Sequence, residues 1–290
     1  MSKSFMRTLL LVLVFGIAAA VIGLMLGGST SLYFARGSWK PQVNRYNPEA
    51  MVENQIDAFK HITLNTGSMD VSIQAGDGYK VAYDSEVASY ELRGDTLTFS
   101  SKDIDGRTYM GIMAFGMHVP VTITVPGDAK LGKLDLQTSA GQLRLTDIVA
   151  DDIDIETRAG GAVLRHVQIG KFDAQAQAGT IVIETAEIDE AQIETRAGGV
   201  RMSDAHVEKK LDVNTRAGSV RAEGSFKGDI SIETTAGSIT FITDLPYSAY
   251  RIDPDGNMGR VTGGDEDDHD APNTLSISSQ VGEMNVRFAE

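Results

Sequence analysis

The chain has 290 residues, no cysteine, and 40 acidic against 26 basic side chains, for a formal charge of −14. That balance argues against nucleic-acid binding, which needs a basic face for phosphates, and against docking on anionic lipid through net charge. The lack of cysteine removes disulfides, a thiolate nucleophile, a Cys-based zinc site and a lipidated N-terminal cysteine.

Lys3 and Arg7 precede LLLVLVFGIAAAVIGLML, Leu9–Leu26, which Gly27 and Gly28 extend. A bilayer core of ~30 Å needs about 20 apolar residues as a helix. A cleaved signal peptide has a shorter apolar core with small residues after it, and here the Ala triplet lies inside the run. The expectation is a cytoplasmic tail over 1–8 and an uncleaved transmembrane helix over 9–28, with a cleaved signal peptide and a buried helix as alternatives. The basic residues before the span orient the N-terminus inside and the bulk of the chain outside, against the competing Arg36, Lys40 and Arg45. Residues 29–58, with Pro41, Pro48 and scattered polar residues, read as a stalk.

HITLNTGSMDVSI (His61–Ile73) and VPVTITVP (Val119–Pro126) alternate apolar and polar residues as half-buried strands do. From Leu134 a repeat takes over. Ala-Gly recurs at Ala140-Gly141, Ala159-Gly160, Ala178-Gly179, Ala197-Gly198, Ala217-Gly218 and Ala236-Gly237, at spacings of 19, 19, 19, 20 and 19. The heptapeptide IETRAGG occurs twice, at Ile155–Gly161 and Ile193–Gly199. A fixed period of this length marks a solenoid, and nineteen residues are too few for two strands and a crossover helix. Each strand must therefore stack on its equivalent in the next coil, about 4.8 Å away. The expected fold is all-β: a parallel β-solenoid, or single-stranded β-helix, over 59–290, behind one transmembrane helix.

Three apolar columns face inward in this reading: Leu134/Ile153/Phe172/Ala191/Leu211/Ile230, the positions two residues on, and Leu143/Ala162/Ile181/Val200/Val220/Ile239. The small Ala column lets the chain bend inward at the turn, and the Gly column (Gly141, Gly160, Gly179, Gly198, Gly218, Gly237) permits a tight corner. Glu208-Lys209-Lys210 absorbs the extra residue of the 20-residue coil. Leu275–Phe288 fits the template again, and Tyr250–Val261 reads as a degenerate coil.

The N-terminal span, the ITLNTG strand, the VPVTITVP strand and the successive T-x-A-G-x-(V/I) coils together resemble the bacterial "putative adhesin" family, a β-strand-repeat domain of unknown function in envelope proteins. The resemblance covers about residues 59–290. It implies a surface-exposed, membrane-tethered solenoid linked with adhesion or envelope stress, with no catalytic motif to carry over.

Outward columns offer the candidate surfaces. Arg158, Arg196 and Arg216 align between acidic columns and are binding candidates for an envelope glycan or another envelope protein, against the alternative of a solvated face whose charges offset one another. Val163 and Val182 form an outward apolar pair. Met110, Met113, Phe115 and Met117 lie in YMGIMAFGMHV; Met and His could suit Cu(I), but thioethers more often fill cores or form adaptable contacts. DEDDHD, in Gly263–Asn273, lacks the ligand spacing of a calcium loop. No cofactor or metal is expected. His61, His118, His166, His206 and His269 are scattered, and no nucleophile–base constellation is legible, so no enzyme is expected. The functional expectation is a single-pass cell-membrane protein with its solenoid outside, binding or sensing at the envelope without chemistry. The alternatives are a scaffold that self-associates end to end and a polysaccharide-cleaving enzyme.

Overall fold

The structure, a computed structural model, describes residues 31–35, 38–41, 50–102, 108–111, 119–252, 260–262 and 270–289; for 31–41, 108–111 and 260–262 the description is of the backbone. Leu9–Leu26 lies outside these residues. Among the described residues no helix is long and apolar enough to cross a membrane.

The strands, in chain order, begin with β1 (Ser31–Ala35) and β2 (Ser38–Pro41). There follow β3 (Met51–Gln55), β4 (His61–Gly76), β5 (Lys80–Asp84), β6 (Ala88–Arg93), β7 (Thr96–Ser101), β8 (Thr108–Gly111) and β9 (Val119–Pro126). The regular coils comprise β10 (Lys130–Thr146), β11 (Val149–Ala178), β12 (Ile181–Ala197), β13 (Val200–Ala217), β14 (Val220–Phe226), β15 (Asp229–Ala236) and β16 (Ile239–Pro246). The C-terminal set is β17 (Tyr250–Ile252), β18 (Arg260–Thr262), β19 (Asn273–Val281) and β20 (Met284–Ala289).

Two compact units result. The smaller holds β1, β2 and β8, an antiparallel three-stranded sheet with β1 at its centre. Ser31–Ala35 and Ser38–Pro41, within the segment read from sequence as stalk, thus contribute paired strands. The larger unit holds all the others and is all-β, with a β-solenoid-like fold.

In the larger unit β10 pairs in parallel with β11, β11 with β12, and β12 with β13, at an offset of 19 residues. The offset becomes 20 between Ile188 and Glu190, where Glu208-Lys209-Lys210 takes up the extra residue. One column runs the whole length: Ile123, Ile73, Leu145, Leu164, Ile183, Met202, Ala222, Phe241, Val286 and Val261 are successive register partners. Among them every residue from Ile123 to Val286 is buried. That continuous apolar spine, with each strand hydrogen-bonded to two neighbours, is the fold's main source of stability.

The inward alternation breaks at three places per coil, and these breaks are the corners. In β11 the buried residues run Ile153, Ile155, Thr157, then Ala162, Leu164, then Val167, Ile169. The first corner carries Ala-Gly. The last inward residue before it is threonine in five of the six coils and Ala176 in the other: Thr138, Thr157, Ala176, Thr195, Thr215 and Thr234 are buried, and Ala178, Ala197, Ala217 and Ala236 are exposed. The expectation that alanine bends the chain inward is corrected here. The alanine of Ala-Gly sits two residues past the last inward position, so it falls on the outside of the bend. The second corner is made by Asp147, His166, Thr185 and Asp204, all left-handed with φ between 51° and 57°. Asp and His tolerate that conformation better than most residues.

The ends depart from chain order. β4 stacks on β10, but β7 and β9, which lie between them in sequence, pair on the far side of β4 and form the terminal layer. Antiparallel β5, β6 and β3 continue beyond that layer. At the other end β19 and β20 stack directly on β15 and β16, and the earlier β17 and β18 lie outside them. Asn273 holds this arrangement together. Its Oδ1 accepts from the Gly228 N–H at 2.8 Å, and its Nδ2 donates to the Ala249 carbonyl at 2.8 Å. Tyr250 is fully buried against Phe241 and Phe288, and its hydroxyl donates to the Phe226 carbonyl at 2.7 Å. Burial pushes its pKa up to about 12.

Candidate binding surface

Stacking converts each sequence position into a column on the surface. On the first side, Asp135 pairs with Asp154, Asp173 with Gln192, and Gln192 with Asp212. Asp135, Asp154 and Asp173 therefore form an unbroken run of carboxylates. Partial burial, then the neighbouring charges of Asp173 and Asp135, raise the Asp154 pKa above the ordinary carboxylate value.

Four cations that border the ladders pair with a carboxylate one coil away. Arg165 Nε lies 2.6 Å from Glu184 Oε2, Lys209 Nζ 2.8 Å from Asp189 Oδ2, and Lys227 Nζ 3.0 Å from Glu208 Oε1. Lys130 pairs with Asp151 in the same way. The Arg165 partner lowers the Glu184 pKa. Arg158, Arg196 and Arg216 are different. They are exposed, they line the first corner, and among the described residues none of them has an ion-pair or hydrogen-bond partner. Strand spacing puts Arg158 and Arg196 roughly 10 Å apart, with Arg196 and Arg216 roughly 5 Å apart.

The ridge beside this arginine row is low because it has almost no side chains. A Cβ built on Gly160, Gly179, Gly198, Gly218 or Gly237 would run into the carbonyl oxygen of the glycine in the preceding coil. These glycines are required by close coil stacking, more than by the turn alone. The expected turn glycines are thus all in one axial file, with Gly141 against the Met69 carbonyl and Gly282 continuing it at the other end. The exposed alanines complete the ridge, which ends in Val281, 70% exposed.

The third side carries shallow grooves that sequence reasoning missed. One of about 580 Å³ is lined by Asp151, Gln168, Gly170, Glu187, Asp189 and Glu208, among others. A second of about 400 Å³ brings together Asp147, His166, Glu187, Asp204 and His206. The two histidines occupy different columns, as their spacing requires, yet face one groove because the columns are adjacent. His166 Nδ1 lies 3.3 Å from Asp147 Oδ1, with both side chains exposed. Thr185, the next residue along the corner, donates to Asp204 at 3.2 Å. The grooves present carboxylates, amide and imidazole to solvent without an aromatic platform. The periodic signal that would have located them is the Asp/His/Thr/Asp corner.

Val163 and Val182 are register partners and half-buried. Met110 is part of β8, at the register position opposite Leu32. Met113, Phe115 and Met117, and the acidic residues up to His269, lie outside the described residues.

A stack of repeated coils with bare corners and charged columns defines the class: an all-β repeat protein of β-solenoid-like build. The chain matches the Toastrack DUF4097 family over residues 59–286 and belongs to it. Similar solved structures include a "putative adhesin" from Bacteroides fragilis, 13% identical, covering 82% of this chain and 95% of that one, with a TM-score of 0.53. A "putative adhesin" from Parabacteroides merdae is 14% identical over 83% of this chain and 95% of that one, with a TM-score of 0.42. A "putative lipid binding protein" from Parabacteroides distasonis is 14% identical over 83% and 96%, with a TM-score of 0.29. No curated protein matches the chain. The resemblance read from the T-x-A-G coils is borne out by the family match. The Bacteroides fragilis structure supports the fold.

Proposed function

We propose that the chain is a membrane-anchored, extracytoplasmic, adhesin-like protein that binds at the cell envelope without catalysing a reaction. In this reading residues 1–8 are cytoplasmic, 9–28 span the membrane, 29–58 lead out of it, and 59–290 display the solenoid. The observation that carries it is the row of Arg158, Arg196 and Arg216, exposed in one column beside a bare ridge and without side-chain partners among the described residues. The row fits an envelope glycan or protein bearing anionic groups at intervals along its length. Membership of a family whose similar solved structures include a "putative adhesin" supports the same reading.

The test has two arms. Protease shaving of intact cells carrying a C-terminal tag should release the solenoid; protection until lysis would overturn the topology. Purified envelope polymer should retain the full chain in a pull-down, and replacing all three arginines by glutamine should weaken retention by about three- to 150-fold, at 0.2–1 kcal/mol per exposed ionic contact. Retention unchanged by that substitution would remove the arginine row from the function.

A second reading, an end-to-end scaffold, draws on one observation. β17 and β18 pair with β19 and β20 over three residues each, leaving the remainder of those edges without a strand among the described residues. Open edges template further pairing. Concentration-dependent polymers in sedimentation would favour it, and a monomer at high concentration would remove it.

A further inference from the structure

The apolar run ends at Gly28, and β1 begins at Ser31. Ser29 and Thr30 between them allow roughly 10 Å of chain at most. A headgroup layer is about 5–8 Å deep on each side of the hydrocarbon. If Leu9–Gly28 spans the bilayer, β1 starts at the membrane surface.

The register of the small sheet gives it two unlike faces. Leu32 pairs with Pro41 and Met110, and Phe34 pairs with Trp39 and Thr108. Directly opposed residues share a face, and alternate residues along β1 share one too. One face therefore carries Leu32, Phe34, Trp39, Pro41, Met110 and Thr108. The other carries Tyr33, Lys40 and Tyr109, with Ser31, Ala35, Ser38 and Gly111. Among the described residues these strands pair only with one another. Leaving an apolar sheet face in water costs free energy, and covering it recovers that cost.

We propose that this surface is lipid: the face made by Leu32, Phe34, Trp39, Pro41 and Met110 rests on the headgroup boundary of the membrane, as a second contact beside the spanning helix. The proposal rests on the anchored reading above. Tryptophan, here Trp39, favours that boundary, where an apolar ring body and a polar tip are both accommodated. The contact gives the segment that leaves the membrane a fixed seat. It also ties residues 108–111, far along the chain, to the bilayer surface.

Trp39 is the chain's one tryptophan, so its fluorescence reports on this sheet alone. The full chain is reconstituted in phosphatidylcholine vesicles whose acyl chains are brominated either near the headgroup or near the methyl end. Flotation with the vesicles tests the anchor; quenching tests the contact. The expected result is flotation, blue-shifted emission, and quenching several-fold stronger by bromine near the headgroup. The double substitution Leu32→Ser, Phe34→Ser should shift the emission red and cut that quenching while flotation persists. Flotation with emission typical of water and quenching by iodide would overturn the contact and leave the anchor standing. Stronger quenching from the methyl end would also overturn it, because the sheet would not lie at the boundary. Failure to float would remove the anchor, and the contact with it.

Discussion

Gly198→Ala tests the stacking argument most directly. Gly198 has φ +147°, and its missing Cβ would point into the Gly179 carbonyl. Its N–H donates to the Ala217 carbonyl at 2.9 Å, so the residue cannot rotate away without breaking the ladder. A side chain in that backbone region costs about 1–3 kcal/mol, and forcing apart a packed contact costs about 1–3 kcal/mol more. The expected loss is about 2–6 kcal/mol. Ala197→Ser, one residue away on the exposed ridge, should stay within about 0.5 kcal/mol of the parent. The assay is urea unfolding of the full chain in detergent micelles, followed by far-UV circular dichroism, with limited proteolysis to locate the weakened coils. Gly198→Ala should unfold at lower urea and be cut first near the Gly179 and Gly218 corners. A midpoint matching that of Ala197→Ser would refute the claim that the glycine file is needed for close stacking.

Asp154→Asn should stabilise the chain at neutral pH by a few tenths of a kcal/mol, roughly the scale of a like-charge strand pair. The Asp154 pKa is raised in the folded state, so its contribution is favourable below the ordinary carboxylate value and is lost as pH rises through the raised one. The gain from the substitution should accordingly shrink in acid, which unfolding at two pH values would check. Thr157 Oγ1 is buried without a hydrogen-bond partner, whereas Thr215 Oγ1 donates to Thr234 at 2.9 Å. Thr157→Val should therefore be neutral or stabilising and Thr215→Val destabilising by about 1 kcal/mol; equal losses in thermal melts would contradict this. Asn273→Ala breaks two hydrogen bonds at one end of the stack and should cost about 1–3 kcal/mol. Hydrogen exchange should then accelerate in β17 and β19 but not in β10, and uniform acceleration would contradict the local role.

The central coils were legible because their period is written in consecutive residues. Leu134, Ile153 and Phe172 fall where the Ala-Gly spacing puts them, and all are buried. The threonine beside the corner was less legible: a hydroxyl at an inward position reads as polar, and its burial at Thr234 is met by a bond to the Gly218 carbonyl at 3.3 Å, whereas Thr157 is buried without one. The second corner carries no glycine in the four coils where Asp147, His166, Thr185 and Asp204 form it, so these left-handed residues gave no breaker signal. The aligned Asp147, His166 and Asp204 were the available hint. Stacking order at the ends was not legible, since a coil's pattern fits any neighbour equally well. The pairing of β1 with β8 was hidden for a related reason, as it joins segments about 75 residues apart through strands of four and five residues. For the binding surface, sequence placed the arginines in one column, but that they lack partners depended on where each carboxylate lies.

The crossed order of strands at the two ends has a consequence for how such a protein changes size. At each end a later or earlier segment is threaded between its chain neighbours, so a coil cannot be added there without unpicking that arrangement. Between Lys130 and Pro246 the layers follow the chain, and they meet at a 19-residue offset except where it becomes 20 beside β13. A duplication of one 19-residue unit in this interval would therefore extend the molecule by one strand spacing, about 4.8 Å, and leave both termini of the stack unaltered. The near-copies IETRAGG at Ile155 and Ile193 fit such a history. The reach of the solenoid is in this sense an adjustable length, set by the number of interior units.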